Sequence, residues 1–365
     1  MALLQSLTNI PATFGDLATH LILSLPQTQC AHFITDTYKP NSIKGCERER
    51  RGSSNNNSFL LKGPAMKVPR NWKLFMSSDE NKKALTSFLL NEFQKDSFAP
   101  RLFKRELYFV CEDRCELLTR DDGVFVTSRP IQDLFSSQEE ADTRIILHCF
   151  YVSKQPFTSR TVIKSPVTDV FLLLMSFAEE IGKSIIFDTG AGNNRRLLDM
   201  SRLSSSIPEH LQNVSLGLHA FTGSDTTSCF AGKGKVRPLK FLKQDPSLSA
   251  VFARLGTSED VSEIDMLQLE AFVCTVYGKA SENSVNKVRY DKIRQSFRGR
   301  QNFLSNTDGI DFTQLPPCKA VLHLHIKRAN YQTLLWRTSS FQFPDLPDPE
   351  KHGWRSTPSG RLEIQ

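Results

Sequence analysis

No apolar run in the chain approaches the roughly 18 to 20 residues that a membrane-spanning helix needs. The apolar part of the N-terminal MALLQSLTNIPATFGDLATHLILSLP is not preceded by the basic stretch that opens a signal peptide. These absences lead us to expect an intracellular protein, nuclear or cytoplasmic, with no membrane partner. Cysteine is present but unpatterned. The eight cysteines are scattered, and the one close pair, Cys111 and Cys115, has neither a second pair nor a His-x-His nearby, which argues against zinc and against a disulfide framework. No G-x-x-x-x-G-K-[ST] motif occurs, so nucleotide hydrolysis on a phosphate-binding loop is unsupported. The DTG that opens DTGAGNNRR lacks the second copy and the all-β surroundings of an aspartic protease, and reads instead as a turn between strands. There is no internal repeat.

What is present suffices for a large core. The chain has 365 residues, 39% of them hydrophobic, and a formal charge of +7. That modest excess of Lys and Arg suits an anionic partner such as nucleic acid, and equally a mildly basic globular protein.

Hydrophobic periodicity divides the chain into an alternating part and a helical part. GDLATHLILSL reads as a helix and AHFIT as a buried strand ending at Asp36, while the polar, Asn/Ser-rich stretch 39–62 reads as a basic, flexible loop or frayed helix. SSDENKKALTSFLLNEFQKD has the spacing of an amphipathic helix; ELYFVC and GVFVTS read as strands. From 138 onward a helix (EEADTRIILHCFYVSK), a strand (TVIKS), a helix (VFLLLMSFAEEIG) and a strand (SIIFDTG) alternate, with RRLLDMSRL as an edge strand. This order predicts an α/β fold on a central, mostly parallel sheet flanked by helices. Beyond 204 nearly everything reads as helix, and a proline-rich tail at 341–365 is expected on the surface. The expected organisation is an α/β domain over 1–245 and a helical region over 246–340.

Four places put acids where such a fold would gather them: Asp36 after the first strand, Glu140 and Asp142 at a helix start, Asp169 just after TVIKS, and Asp225 in TGSD. Loops after strand C-termini converge on one crevice in an open α/β sheet. Carboxylates so gathered repel by about 4 kcal/mol per pair at 4 Å and an effective dielectric near 20, so something cationic must sit among them. An all-oxygen donor set suits Mg²⁺ or Mn²⁺, and two such ions can promote phosphodiester hydrolysis. Each acid also has a plainer reading, as a helix cap or a first-turn charge.

The order of these motifs over about residues 32–245 resembles the flap endonuclease / XPG-type branch of the PIN-like nuclease superfamily. FITDTYKPNSIKGCERERR carries Asp36 ahead of a basic helical stretch with Arg48, Arg50 and Arg51; EEAD carries Glu140 and Asp142; SPVTDV carries Asp169; FTGSD carries Asp225; and FAGKGK resembles a glycine-rich hairpin that grips a nucleic-acid backbone. EEADTRI, HAFTG-x-D, FAGKGK and LPPC with IKRANYQ are also similar to stretches recurring in a multi-copy group of animal proteins. The resemblance implies a PIN-like fold and a metal-dependent nuclease with Asp36, Glu140, Asp142, Asp169 and Asp225 as catalytic metal ligands for Mg²⁺ or Mn²⁺. It further implies that Arg48, Arg50, Arg51, Gly232, Lys233, Gly234 and Lys235 contact nucleic acid, DNA in preference to RNA. Two departures accompany it. Val167 stands where the pattern has a carboxylate, and residues 1–30 lack an acid at the end of a strand. A catalytically degenerate relative that binds nucleic acid or a protein is therefore the alternative expectation.

Two further signals stand apart. His323 and His325 are two residues apart, which on a helix points them about 200 degrees from each other and rules out a shared metal. The basic run Lys287, Arg289, Lys292, Arg294, Arg298 and Arg300 reads either as a solvated helix face or as a track for phosphates.

Overall fold

The computed structural model describes every residue except 1, 6, 8, 40, 51–58, 157, 298–310 and 359. Contacts divide the chain into two units, Met1–Ser201 with Ser339–Asp345, and Arg202–Thr338 with Leu346–Gln365. The expected boundary at 245 falls inside the second unit.

In the first unit, α1 (Ala2–Gln5) and α2 (Phe14–Ser24) precede β1 (Cys30–Phe33). Then come α3 (Ile43–Arg50), α4 (Trp72–Phe75) and α5 (Asp79–Phe93), followed by β2 (Glu106–Cys111), β3 (Arg114–Arg120) and β4 (Val126–Pro130). β1 runs parallel to β2, and β2, β3 and β4 pair antiparallel in that order. The alternation in ELYFVC decides what each face meets. Leu107 and Phe109 join Phe14, Leu21, Leu89 and Phe93 in one core cluster, whereas Tyr108 and Val110 join Leu117, Leu134 and Leu147 in another. Helices thus cover both faces of this small sheet. Phe109 is fully buried, and its truncation to alanine would cost about 3 to 5 kcal/mol.

The unit continues through α6 (Ala141–Ser153), β5 (Arg160–Lys164), α7 (Thr168–Ile181), β6 (Ser184–Thr189) and β7 (Arg196–Asp199). β5 and β6 are parallel, and β7 returns antiparallel on the edge. The turn before β7 is held by Asp188, whose carboxylate accepts two 2.8 Å bonds from the Arg195 guanidinium. Helices α6 and α7 pack together, with the Phe150 and Phe177 rings 5.9 Å apart.

The fold is thus α/β, but one expectation is corrected. Instead of a single central, mostly parallel sheet, the first unit holds a four-stranded and a three-stranded mixed sheet. The reason is local: the tight Glu112–Asp113 turn sends β3 back antiparallel along β2, and that strand was absent from the periodicity reading. Part of the 39–62 stretch takes the helical alternative of its reading as a loop or frayed helix. Its residues 43–50 form α3, with Ser42, Ile43, Cys46 and Glu47 buried.

Helix α8 (Met200–Ser206) straddles the division. The second unit contains α9 (Glu209–Thr222), α10 (Val236–Gln244), α11 (Pro246–Arg254), α12 (Glu263–Val276), α13 (Val285–Ser296), α14 (Lys319–Arg337) and the hairpin β8 (Trp354–Ser356) with β9 (Leu362–Ile364). Its core gathers the rings of Phe221, Phe252 and Phe272, with centroids 5.1 to 6.0 Å apart. Gly217 makes this closeness feasible, because a Cβ there would stand 2.3 Å from the Phe252 carbonyl oxygen. The expected surface tail is also corrected. Trp354 is fully buried, its ring 5.5 Å from that of Tyr331 on α14. No helix among the described residues is long and apolar enough to cross a membrane.

Candidate functional site

Four of the five expected acids lie in the first unit. Asp36 follows β1, Glu140 is the N-cap residue of α6 with Asp142 in its first turn, and Asp169 sits in the first turn of α7. The packing of α6 on α7 and the path of β1 bring them into one cluster. Asp36 Oδ1 accepts the Ala141 N–H at 2.9 Å, and Glu140, Asp36 and Asp169 all press electrostatically on Asp142.

The cation demanded by such a cluster is supplied by the chain itself. Lys44 on α3 places Nζ 3.7 Å from Asp36 Oδ1 and 3.6 Å from Glu140 Oε1. Burial alone would strip its proton, but Glu140, Asp36 and Asp142 outweigh burial and hold Lys44 charged. Burial would likewise raise Asp36, yet Lys44, the Ala141 N–H and Arg48 keep it down at about 2. Asp142 is pushed the other way. Burial, together with Glu140, Asp36 and Asp169 and against the pull of Lys44, raises it to about 7. One lysine does not neutralise four carboxylates, and Asp142, raised by burial and by its acidic neighbours, takes up a proton well before an ordinary carboxylate would.

Behind Lys44, the Arg48 guanidinium bonds Asp79 at 2.7 Å and lies 5.0 Å from the Tyr38 ring centroid. Lys82 bonds the same Asp79 at 2.9 Å. Arg48, expected to meet nucleic acid, has a half-buried side chain engaged with Asp79 and Tyr38 within the unit. The Arg50 side chain and Arg51 lie outside the described residues.

Val167 occupies the N-cap position of α7 and makes no side-chain capping bond. The carboxylate expected there would have been both a cap and a cluster member. Carboxylate oxygens suit Mg²⁺ or Mn²⁺, so the chemistry of the donors fits such an ion. Their spacing is that of a lysine-bridged cluster: among the described residues, no group of three or more His, Cys, Asp or Glu is arranged to hold a metal. A divalent ion would have to take the place of the Lys44 ammonium.

The second unit carries the remaining expected residues. After α9 the chain turns through Gly223, at φ 111°, where a Cβ would stand 2.6 Å from the Cys229 Cβ. Ser224 N–H donates to Thr227 Oγ1 at 2.9 Å, and Thr227 Oγ1 donates to the Ala220 carbonyl at 2.6 Å, so that Asp225 is presented on an exposed turn. Phe230 then plugs into the core, 5.2 Å from the His325 ring. Lys235 returns to the end of α9, donating from Nζ to the His219 carbonyl at 3.1 Å, to Thr222 Oγ1 at 3.2 Å and to the Gly223 carbonyl. It caps the helix C-terminus. Gly232 and Gly234 flank Lys233, whose Nζ lies 4.9 Å from the Tyr277 ring centroid. His325 is buried with Nε2 at 2.8 Å from the Phe221 carbonyl oxygen, a core role.

Sequence reasoning missed Lys44 as the bridging cation, although EEAD and ITD implied that one was needed. It also missed Tyr277, which carries no motif. No family model matches the chain, and neither a curated protein nor a solved structure matches it.

Proposed function

We propose that the first unit is a nuclease-type carboxylate site acting on phosphodiester bonds of nucleic acid with Mg²⁺ or Mn²⁺. The observation that supports this reading is the convergence of Asp36, Glu140, Asp142 and Asp169, the last 133 residues beyond the first in sequence. Their charge exceeds what Lys44 neutralises, and a bound divalent ion would relieve that excess, activating a water and stabilising the leaving oxygen. Asp36, Glu140 and Asp169 would hold the ion. Asp142, whose carboxyl is raised by burial and its acidic neighbours, would be held ionised by a bound cation. Lys44, freed from its bridge, would stay within reach of a phosphate oxygen. The PIN-like fold and the role of Asp225 rest on the motif resemblance alone.

A second reading has its own observation. Val167 removes one donor while Lys44 already bridges two others, which favours a degenerate site in a protein that binds nucleic acid without cutting it. Mn²⁺ titration by calorimetry and cleavage of branched and single-stranded DNA and RNA separate the two. The first reading requires cleavage by the wild type that Asp142→Asn abolishes. A silent wild type with activity appearing in Val167→Asp would leave the second.

A further inference from the structure

The structure joins two basic stretches that lie far apart in sequence, the FAGKGK loop and helix α13, on the buried ring of Tyr277. We infer that Lys233, Lys279 and Lys292 form a phosphate-binding surface around Tyr277 that takes the sugar-phosphate backbone of a nucleic acid.

Tyr277 ends α12 with its side chain buried, its hydroxyl directed to the Leu315 carbonyl at 3.4 Å. Lys233 and Lys292 both lie against its ring, with Nζ 4.9 and 6.0 Å from the centroid. Lys279 follows two residues after Tyr277, and Arg289, also on α13, donates to the Pro316 carbonyl at 2.7 Å. The ring's π density attracts both ammonium groups, but it does not neutralise them.

Nearby acids are engaged elsewhere. Glu282 pairs with Lys287 at 2.8 Å and Glu270 with Lys319 at 3.3 Å. No ion pair joins Lys233, Lys279 or Lys292 to a carboxylate among the described residues. The mutual pressure is visible in Lys292, whose pKa is lowered by burial and then by Lys233 and Lys279. Holding three like charges together without a counter-ion is unfavourable, and an anion bridging them would reverse the sign of that interaction. Amines contributed by a loop, a helix end and a separate helix suit successive phosphates better than one small ion.

This inference rests on the nucleic-acid reading only for the identity of the anion, and not on cleavage. The test is fluorescence anisotropy with the full chain and a labelled single-stranded DNA oligonucleotide between 50 and 300 mM salt. If all three lysines contact phosphates, the triple variant K233Q/K279Q/K292Q should lower the slope of log Kd against log salt by about 2, at about 0.7 per contact. Lys287→Gln, which removes a paired lysine, should leave the slope unchanged. An unchanged thermal melt of the triple variant keeps the comparison free of unfolding. The proposal is overturned by an oligonucleotide that does not bind, by a slope the triple variant does not alter, by an equal loss in Lys287→Gln, or by polyglutamate competing as well as DNA. A site that binds but never cuts would sink the catalytic reading alone.

Discussion

Asp36 Oδ1 accepts a hydrogen bond from the backbone N–H of Ala141, 2.9 Å away across 105 residues of chain. That bond satisfies one of the open N–H groups at the start of α6, where the N-cap residue Glu140 makes no capping bond of its own. Asp36→Ala should therefore destabilise the protein by about 1 kcal/mol through the lost cap. Asp36→Asn keeps an oxygen for Ala141 and should lose less, while both substitutions should weaken Mn²⁺ binding to a similar degree. Urea unfolding alongside Mn²⁺ titration checks the contrast, and equal destabilisation by the two variants would show that the cap is idle.

Val167 is a poor N-cap, since valine has no oxygen to offer the first N–H groups of α7. Val167→Asp should add about 1 kcal/mol by capping, or roughly 2 to 4 °C in Tm for a unit of this size. The same carboxylate adds repulsion towards Asp169 and Asp142, so the gain should be larger with Mn²⁺ present than with chelator. Thermal melts in the two buffers measure this. A Tm that falls in Mn²⁺ would contradict both the cap and the cation.

Lys235 and Lys233 are two residues apart and should behave differently. Lys235→Met removes the donor at the end of α9 and should lower stability by about 1 kcal/mol, as loss of a charged group at a helix C-terminus does. Lys233→Met should leave the melt nearly unchanged and act on DNA affinity instead. Paired melting and anisotropy measurements on the two variants decide it.

His32 and His148 face each other with their Nδ1 atoms 2.8 Å apart, so one ring donates and the other accepts, and the accepting ring must be neutral. His32 stacks on Tyr108 at 4.2 Å, its Nε2 lies 3.5 Å from Cys30 Sγ, and the Tyr151 ring is 6.5 Å away. Burial lowers His32 to about 3; burial, then His32 and Arg144, lower His148 well below its ordinary value. The unfolded chain takes up protons from about pH 6.5 downward and the folded chain does not, so the stability from this pair is full above 6.5 and drains away as pH falls towards 3. Wild type should lose stability on acidification more steeply than His148→Gln, by up to about 1.4 kcal/mol per pH unit for one proton. Parallel curves for the two proteins would refute the neutral pair.

Much of the cluster was legible before the fold was known. Asp36, Glu140, Asp142 and Asp169 announce themselves because each closes a strand or opens a helix, and the need for a cation follows from Coulomb's law. What supplies it was hidden. Lys44 lies in a polar, charged stretch whose composition resembles a loop, and only the packing of Ile43 and Cys46 makes it a helix that aims inward. The turn Glu112–Asp113 has no Gly or Pro to punctuate it, which concealed β3. The C-terminal hairpin is short and follows prolines, so nothing local foretold a buried Trp354. The capping bonds of Lys235 were hidden for a similar reason: the glycines beside it are visible in sequence, whereas the helix it caps ended 13 residues earlier.

The short segment 339–345 belongs with the first unit although it follows nearly all of the second. Gln138 Nε2 donates to the Ser339 and Phe341 carbonyls, Ser136 Oγ donates to the Gln342 carbonyl, and Gln342 Nε2 returns a bond to the Gln132 carbonyl. These bonds hold the stretch that leads into Glu140. During synthesis the acids therefore emerge long before their support does, and the entry to α6 is completed only once residue 345 has left the ribosome. A premature stop anywhere between 202 and 338 would leave every acid of the first-unit cluster encoded and its scaffold unfinished.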